Sequence, residues 1–269
     1  MLQLSIYTYI FQHASSFYLY NSEHGILANI SERLYSLLYN RDFNSIPHNS
    51  QKELIEKGIL VESDKKYMYY DEMKMRFLSA SYEKEHMGLV IVPFTGCNFA
   101  CPYCFESKKH PMLMSENIEN DLIAFINAHS AQSMALTWYG GEPLIAFKNI
   151  KSIYNKLINQ TKVNIEKHAI ITNGYLLNQE ILNFFRDAHL SEMQITLDGT
   201  EEHHNQTRFL KQNKQGTFHK IIDNIRMAVE ILPNCHIAIR ININKSNEQD
   251  FFDIYNKFSK EFKEKQISI

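Results

Sequence analysis

GLVIVPF at residues 88–94, followed by Cys97-Asn-Phe-Ala-Cys101-Pro-Tyr-Cys104, is the stretch that decides the fold of this chain. The apolar run has the length of a buried β-strand, and a cysteine-rich loop leaves its carboxyl end. From there to the last residue, strand-like apolar segments alternate with amphipathic helical segments. Such repeats predict a parallel sheet, because each parallel strand needs a crossover helix to bring the chain back.

The alternation predicts five strand–helix repeats and the start of a sixth strand. Strands are expected at residues 88–94, 134–140, 168–174, 193–199 and 236–243. Helices are expected at residues 115–130, 146–159, 178–189, 218–231 and 248–264, and QISI at 266–269 would begin strand six. Several motifs directly follow strands, which is where parallel sheets and barrels build their sites. We therefore expect an α/β core over residues 87–269 that is cut short in its sixth strand.

Residues 1–86 differ in character and predict a separate small module. Two short helical segments, at 30–39 and 50–57, precede the stretch GILVESDKKYMYY at 58–70. That stretch is typical of two strands around a turn at 63–65, that is, of a β wing. Helices followed by a wing predict a winged-helix-like N-terminal module.

The composition restricts the class of protein. The chain has 269 residues, of which 44% are hydrophobic, and a formal net charge of −2. This suits one large domain or a medium domain with a small one, and it excludes a disordered chain. The near-neutral charge argues against nucleic-acid binding, and no apolar run approaches the roughly 20 residues of a membrane span. The N-terminus has no signal-peptide pattern and the cysteines are clustered, so we expect the protein in the cytoplasm.

The cluster of Cys97, Cys101 and Cys104 predicts a metal centre. Three of the four cysteines fall within eight residues, and thiolates select zinc, copper(I) or iron–sulfur clusters. A structural zinc ion needs a fourth ligand, which His110 could supply, whereas Cys235 begins a predicted strand at the opposite end of the sheet. The alternative is a 4Fe–4S cluster in which three cysteines leave one iron open to a small molecule.

This C-x3-C-x2-C pattern, with aromatic Tyr103 before its last cysteine, resembles the signature of the radical S-adenosylmethionine (radical SAM) enzymes. The resemblance implies a 4Fe–4S cluster on Cys97, Cys101 and Cys104, whose open iron chelates S-adenosylmethionine. It further implies reductive cleavage of that cofactor to a 5′-deoxyadenosyl radical, which takes a hydrogen atom from the substrate. The implied fold is a partial (βα)6 TIM-like barrel, apparently cut at strand six.

Motifs at the strand ends extend this resemblance over residues 89–269. The segment 140–142 resembles the family's GGE motif, which holds the methionine amino group, and 172–174 and 196–199 resemble its TNG and S-L-D-G segments near the cofactor ribose. Each of these segments would also suit an ordinary turn. The resemblance makes Asp198 the candidate catalytic residue, in contact with the substrate or as a base. The candidate cofactor contacts are Tyr103, Gly140, Gly141, Glu142, Asn173, Thr196, Arg208, Arg240 and Asn242.

The segment after Gly199 resembles the H-D-x-x-R stretch of the peptide-modifying branch. His204 and Arg208 align with it, but Asn205 stands where aspartate is usual, which weakens an acid–base role there. We expect His203 to be a solvated loop residue and Arg208 to pair with a carboxylate of cofactor or substrate.

Arg240 and Asn242 alternate on the fifth predicted strand and should therefore share one face. An arginine within a parallel strand is costly unless it is paired, so a position facing the cofactor and a salt bridge at the barrel rim both fit. The family has a similar R-x-N at this strand.

The resemblance is strongest with peptide and protein maturases that carry a cysteine-rich SPASM or twitch extension. No cysteine follows Cys235, so we expect that extension to be absent or the chain to be a fragment. The branch implies a peptide or protein substrate, a leader peptide bound by residues 1–86, and an electron donor such as flavodoxin or ferredoxin. A sulfatase-type maturase of Cys or Ser and a non-catalytic, metal-containing peptide-binding module or truncated fragment are the alternatives.

Overall fold

The computed structural model describes residues 1–63, 67–106, 110–129, 131–262 and 267–269. The chain divides into two compact units, Met1–Glu83 and Lys84–Ile269. This division lies close to the boundary that the sequence predicts after residue 86. Among the helices in the described ranges, none is long and apolar enough to cross a membrane.

The first unit contains two small antiparallel sheets and several helices. Its elements are β1 (Leu2–Leu4), β2 (Thr8–His13), β3 (Ser16–Asn21), β4 (Ile26–Ile30), α1 (Glu32–Tyr39), α2 (His48–Glu56), β5 (Leu60–Glu62) and α3 (Met68–Tyr82), with a 3₁₀ turn at Phe43–Ser45. Strands β2, β3 and β4 form a meander, and β1 pairs with β5. Buried apolar side chains, among them Leu19, Leu38 and Leu60, form its core.

The predicted wing in this unit is wrong. Leu60–Glu62 pairs with β1 instead of with the segment that follows it, and residues 68–70 begin α3. The tyrosine-rich residues 67–70 have a strand-like local composition, but helix-forming residues follow them up to Tyr82. One helix, α3, includes residues 68–70 and this following segment. Of the predicted turn at 63–65, only residue 63 belongs to the described ranges.

The second unit is built on a six-stranded parallel sheet. Its strands are β6 (His86–Ile91), β7 (Ser133–Trp138), β8 (Asn164–Thr172), β9 (Glu192–Thr196), β10 (His236–Arg240) and β11 (Ile267–Ser268). They lie side by side in chain order, and every neighbouring pair is parallel. The α/β prediction is thereby confirmed, and this order suits a partial TIM-like barrel. In the described part of the chain the outer strands β6 and β11 do not pair, so no closed barrel forms.

Helices return the chain between these strands. They are α4 (Glu116–His129), α5 (Phe147–Gln160), α6 (Gln179–Asp187), α7 (Glu201–Thr207), α8 (Phe218–Ile231) and α9 (Asp250–Glu261). Five of them correspond to predicted helices, although residue 130 of the first prediction and residues 263 and 264 of the last lie outside the described ranges. The sixth, the short α7, was not predicted, because the sequence indicated a loop there. Their apolar faces pack on the sheet around fully buried side chains such as Trp138, Ile150 and Phe185.

Candidate active site

The cysteine loop leaves the carboxyl end of β6 and contributes to two adjoining cavities. Cys97, Cys101 and Cys104 are free thiols, and all three line both cavities, which measure about 220 and 320 Å³. Two isolated bridges, Phe94 with Leu113 and Phe99 with Leu210, tie the loop to neighbouring segments. The smaller cavity extends over the ends of β7 to β10 and includes most of the predicted cofactor contacts, namely Tyr103, Gly140, Gly141, Asn173, Thr196, Arg208, Arg240 and Asn242.

The paired glycines after β7 allow the cysteine loop to lie directly against the sheet. A Cβ atom on Gly141 would lie 2.3 Å from the carbonyl oxygen of Gly96, and one on Gly140 would lie 2.4 Å from that of Phe94. Gly140 also has a φ of +138°, which side chains rarely adopt. The amide of Glu142 completes the contact by donating to the Gly96 carbonyl at 2.9 Å. The glycines therefore fix the position of the loop that carries the thiols.

Glu142 is fully buried and is not among the residues that line the two cavities. Its carboxylate accepts hydrogen bonds from the Thr172 hydroxyl at 2.7 Å, the Asn173 amide at 2.7 Å and the Leu144 amide at 3.1 Å. Burial raises the pKa of this carboxyl, and these hydrogen bonds oppose that rise. In this structure Glu142 joins the ends of β7 and β8.

Hydrogen-bond donors surround the Sγ of Cys97. The Phe99 amide lies 3.4 Å from it and the side-chain amide of Asn173 lies 3.8 Å from it. Asn173 also donates to the Asn98 side chain at 2.8 Å, while the Nδ2 of Asn98 is buried and has no partner among the described residues. Sequence reasoning missed Asn98, although its place directly after a candidate ligand was an available signal.

Tyr103, Asp198, Arg208 and Asn242 form one polar network across the strand ends. The Tyr103 hydroxyl donates to Oδ2 of Asp198, and Nη1 of Arg208 donates to the same hydroxyl at 2.8 Å and lies 3.8 Å from that oxygen. Oδ1 of Asp198 accepts from the Asn242 side chain at 3.0 Å. Asp198 is buried, with both oxygens already hydrogen-bonded. The pKa of the Tyr103 hydroxyl is raised, because burial disfavours its ionised form.

The donors present fit an iron–sulfur cluster with a bound anionic cofactor. Three soft thiols line a shared space, and Nε of buried Arg208, which lines the smaller cavity, has no partner in the ranges that the structure describes. Burial raises the pKa of Cys97 to about 11 and also raises that of Cys101, so these thiols must lose protons when they bind metal.

Neither of the two residues considered as a fourth ligand for a single zinc ion lies at the thiols. Within the described residues, no three His, Cys, Asp or Glu side chains are grouped closely enough to hold one metal ion. Neither His110 nor Cys235 lines the two cavities. Cys235 is buried in the core of the second unit.

Comparisons with known proteins identify the family of the chain. The family model described as Radical SAM superfamily matches residues 91–258. The chain is 30% identical over 187 residues to a cysteine-type anaerobic sulfatase-maturating enzyme of Clostridium novyi (strain NT). The matched region covers 65% of this chain and 48% of that protein. The chain spans about half the length of the curated relatives it matches.

Two solved structures share the fold. Native anSMEcpe with bound AdoMet and Kp18Cys peptide matches with a TM-score of 0.57 and 20% identity, over 65% of this chain and 49% of that chain. Streptococcus suis SuiB bound to precursor peptide SuiA matches with a TM-score of 0.50 and 13% identity, over 97% of this chain and 61% of that chain. At these identities the likeness concerns the fold alone.

Proposed function

This chain belongs to the radical SAM superfamily, and from that premise we propose that it is an enzyme of the peptide and protein maturase branch. Cys97, Cys101 and Cys104 hold a 4Fe–4S cluster, and the smaller cavity receives S-adenosylmethionine. When bound, these groups supply a 5′-deoxyadenosyl radical that takes a hydrogen atom from the substrate.

The chain's own residues position the cofactor. Gly140 and Gly141 let the cysteine loop lie against the ends of the strands, because no Cβ stands in the way, and so they place the thiols beside the cavity. Arg208 offers the unpartnered Nε to a carboxylate, an interaction strengthened by the low exposure of the guanidinium. Asn173, Thr196, Arg240 and Asn242 provide further polar groups along the cavity wall. Asp198 remains the proposed catalytic residue because it lies beside Tyr103, which lines the cavity. Glu142 supports the site by joining the ends of two strands.

The observation that carries this proposal is the placement of three free thiols and the strand-end residues around one cavity. The test is anaerobic reconstitution with iron and sulfide, followed by addition of S-adenosylmethionine and dithionite and an assay of 5′-deoxyadenosine. Cys101→Ala should lose the product and most of the bound iron. Cys235→Ala is the matched control, because that thiol is buried away from both cavities, and it should keep both. Zinc binding without sulfide, or a loaded wild type that makes no product, would refute the proposal.

A peptide or protein is the proposed substrate. The solved structures of anSMEcpe and SuiB named above each contain a bound peptide. The sulfatase-maturating relative supports a second candidate, oxidation of a Cys or Ser side chain. Mass spectrometry of Cys- and Ser-containing peptides separates the two: a new carbonyl at the reacting carbon indicates side-chain oxidation, whereas a crosslink joins two residues.

We also propose that residues 1–86 bind a leader peptide by strand addition. The outer strands of the meander, β2 and β4, each have one strand neighbour among the described residues, which leaves a sheet edge for an extended segment. Hydrogen exchange with a candidate substrate peptide should protect amides of β2 or β4. Protection confined to the second unit would contradict this. The proposed electron donor is a flavodoxin or a ferredoxin. The proposed location of the enzyme is the cytoplasm.

A further inference from the structure

A third cavity, of about 300 Å³, adjoins the candidate cofactor cavity. Tyr103 and Asn242 line both, so the two spaces meet at the polar network around Asp198. The walls of the third cavity consist mainly of amide and hydroxyl side chains from α7 and from the segment after β10, together with His203. Of the residues that line it, the sequence motifs gave roles to Tyr103, Asp198 and Asn242, whereas the sequence predicted His203 to be a solvated loop residue.

His203 is held in one orientation by Asp250 at the start of α9. Its Nδ1 lies 2.7 Å from Oδ2 of Asp250, and the same oxygen accepts from the Thr200 amide at 2.8 Å and the Thr200 hydroxyl at 2.7 Å. Hydrogen bonds from Thr200 and His203 lower the pKa of the Asp250 carboxyl against the effect of burial, which raises it, so this partner is an anion that only accepts. His203 is therefore a residue built into the cavity wall.

Gly199 makes this arrangement possible. Its φ is +100°, and a Cβ atom there would lie 2.5 Å from Oδ2 of Asp250. The Asp-Gly turn after β9 thus places Asp198 in the wall of the third cavity and leaves room for the Asp250 carboxylate beside Thr200.

The hydrogen bond to Asp250 determines which ring nitrogen of His203 carries the proton. Because Asp250 accepts, Nδ1 must donate, and in the neutral ring Nε2 is then an acceptor. In the described part of the chain Nε2 of His203 has no hydrogen-bond partner. We propose that the third cavity binds the reacting residue of the peptide substrate, and that Nε2 of His203 accepts a hydrogen bond from a neutral O–H, S–H or N–H group of that residue.

The lining of the cavity favours a neutral group over a charged one. No lysine or arginine is among the described residues that line it, and its one carboxylate, Asp198, already accepts from Tyr103 and Asn242. An anionic ligand would therefore lose water without meeting an opposite charge, and a cationic ligand would meet only a carboxylate that Arg208 already faces at 3.8 Å. A small polar side chain would instead find a donor and an acceptor in the side-chain amide of Gln206, whereas the Asn247 side chain and Oδ1 of Asn244 are already hydrogen-bonded within their loop.

This inference rests on the proposed function, and its test does not use turnover. Iron- and sulfide-reconstituted protein labelled with ¹⁵N at histidine is studied by long-range ¹H–¹⁵N NMR at about pH 9, where neutral imidazoles dominate. The His203 signals are those lost in His203→Gln. The expected spectrum shows the proton on Nδ1. Titration with N-acetyl-L-serinamide should move the Nε2 signal in a saturable way, and N-acetyl-L-alaninamide, which lacks the hydroxyl, should leave it in place.

Two variants test whether the hydrogen bond from His203 to Asp250 is responsible. Asp250→Asn should move the proton of His203 toward Nε2 and abolish the response to serinamide. Thr200→Val removes a hydroxyl from the same carboxylate but leaves the His203 contact, so it should keep both the Nδ1 proton and the response. A proton on Nε2 in the wild type, an equal response to both amides, or no response to either would overturn the proposal. Formation of 5′-deoxyadenosine by the wild type without peptide is measured separately, so failure of the radical reaction is told apart from failure of this inference.

Discussion

Arg208 donates a hydrogen bond of 2.8 Å to the hydroxyl of Tyr103, although the two residues are 105 positions apart in the chain. The Tyr103 hydroxyl in turn donates to Asp198, so one phenol connects the cysteine loop to the end of β9 and to the segment after α7. Arg208 also lies over the ring of Phe99, with its guanidinium carbon 5.6 Å from the ring centroid. The residue before the last cysteine is thus a structural part of the site.

Tyr103→Phe should destabilise the second unit by about 1–3 kcal/mol, because it leaves a buried guanidinium N–H without its acceptor and Oδ2 of Asp198 without its hydroxyl donor. Urea unfolding followed by tryptophan fluorescence measures this loss. Tyr255→Phe is the matched control, because both tyrosines are 48% exposed but the Tyr255 hydroxyl has no hydrogen-bond partner among the described residues, and it should change stability by less than about 0.5 kcal/mol. Equal effects of the two variants would show that the Tyr103 hydroxyl is not a stabilising link.

Gly141→Ala should displace the cysteine loop. Its Cβ would meet the backbone carbonyls of Gly96 and Thr95, which cannot rotate away as a side-chain end could. We expect a loss of about 1–3 kcal/mol in stability, together with a lower iron content after reconstitution. Gly88→Ala is the matched control, because nothing lies within 4 Å of a Cβ atom there, and it should keep its iron. Normal iron content in Gly141→Ala would contradict the role given to this close approach.

Asn205 should tolerate aspartate but not alanine. Its Oδ1 accepts from the amides of Thr217 and Phe218, at 2.8 and 3.1 Å, and so caps the start of α8, where Thr217 supplies no side-chain cap of its own. Asn205→Ala should cost about 1 kcal/mol in urea unfolding, whereas Asn205→Asp keeps the acceptor and adds a favourable charge at a helix N-terminus. A similar loss in both variants would argue against capping.

The repeats of the second unit could be predicted from sequence because burial imposes a pattern that can be read locally. The apolar positions of 218–231 recur at helical spacing, and α8 has those bounds. The stretch EEHHNQT has no apolar repeat, so α7 could not be seen. Its position depends on Asp250 and Thr217, which join it from distant segments. The predicted wing is wrong for the opposite reason. Its local pattern predicted two neighbouring strands that pair with each other, whereas β5 pairs with β1, the first strand of the chain.

For the candidate site, the sequence located residues but not their contacts. The cysteines and the strand-end motifs predicted which side chains would meet, because parallel strands end at the same edge. Their hydrogen-bond partners could not be predicted. Nothing in the local sequence shows that Tyr103 donates to Asp198, or that Glu142 is buried and accepts from Thr172. The role of Asn205 was also hidden, because an amide and a carboxylate are equivalent as caps but differ as acids.

His168 should make the second unit less stable as the pH falls. It is buried, its Nδ1 bonds to the Ala188 carbonyl at 2.9 Å, and its Nε2 accepts from the indole of Trp138 at 2.7 Å. A proton on Nε2 would face the indole N–H, and burial lowers the pKa of His168 to about 4, from 6.5 in the unfolded chain. Between these values the unfolded chain binds a proton and the native state does not, so stability falls as the pH drops from 6.5 to about 4.

The full loss from His168 is roughly 3 kcal/mol, and above pH 6.5 this residue contributes no further change. The single tryptophan of the chain, Trp138, reports the transition in urea titrations at a series of pH values. His168→Gln should flatten the dependence but leave the part due to His204, whose pKa burial lowers to about 3. His236→Gln, at an exposed position of β10, should leave the wild-type curve unchanged. If His168→Gln instead retained the full wild-type slope between these pH values, the protonation of this buried pair with Trp138 would not be what weakens the fold.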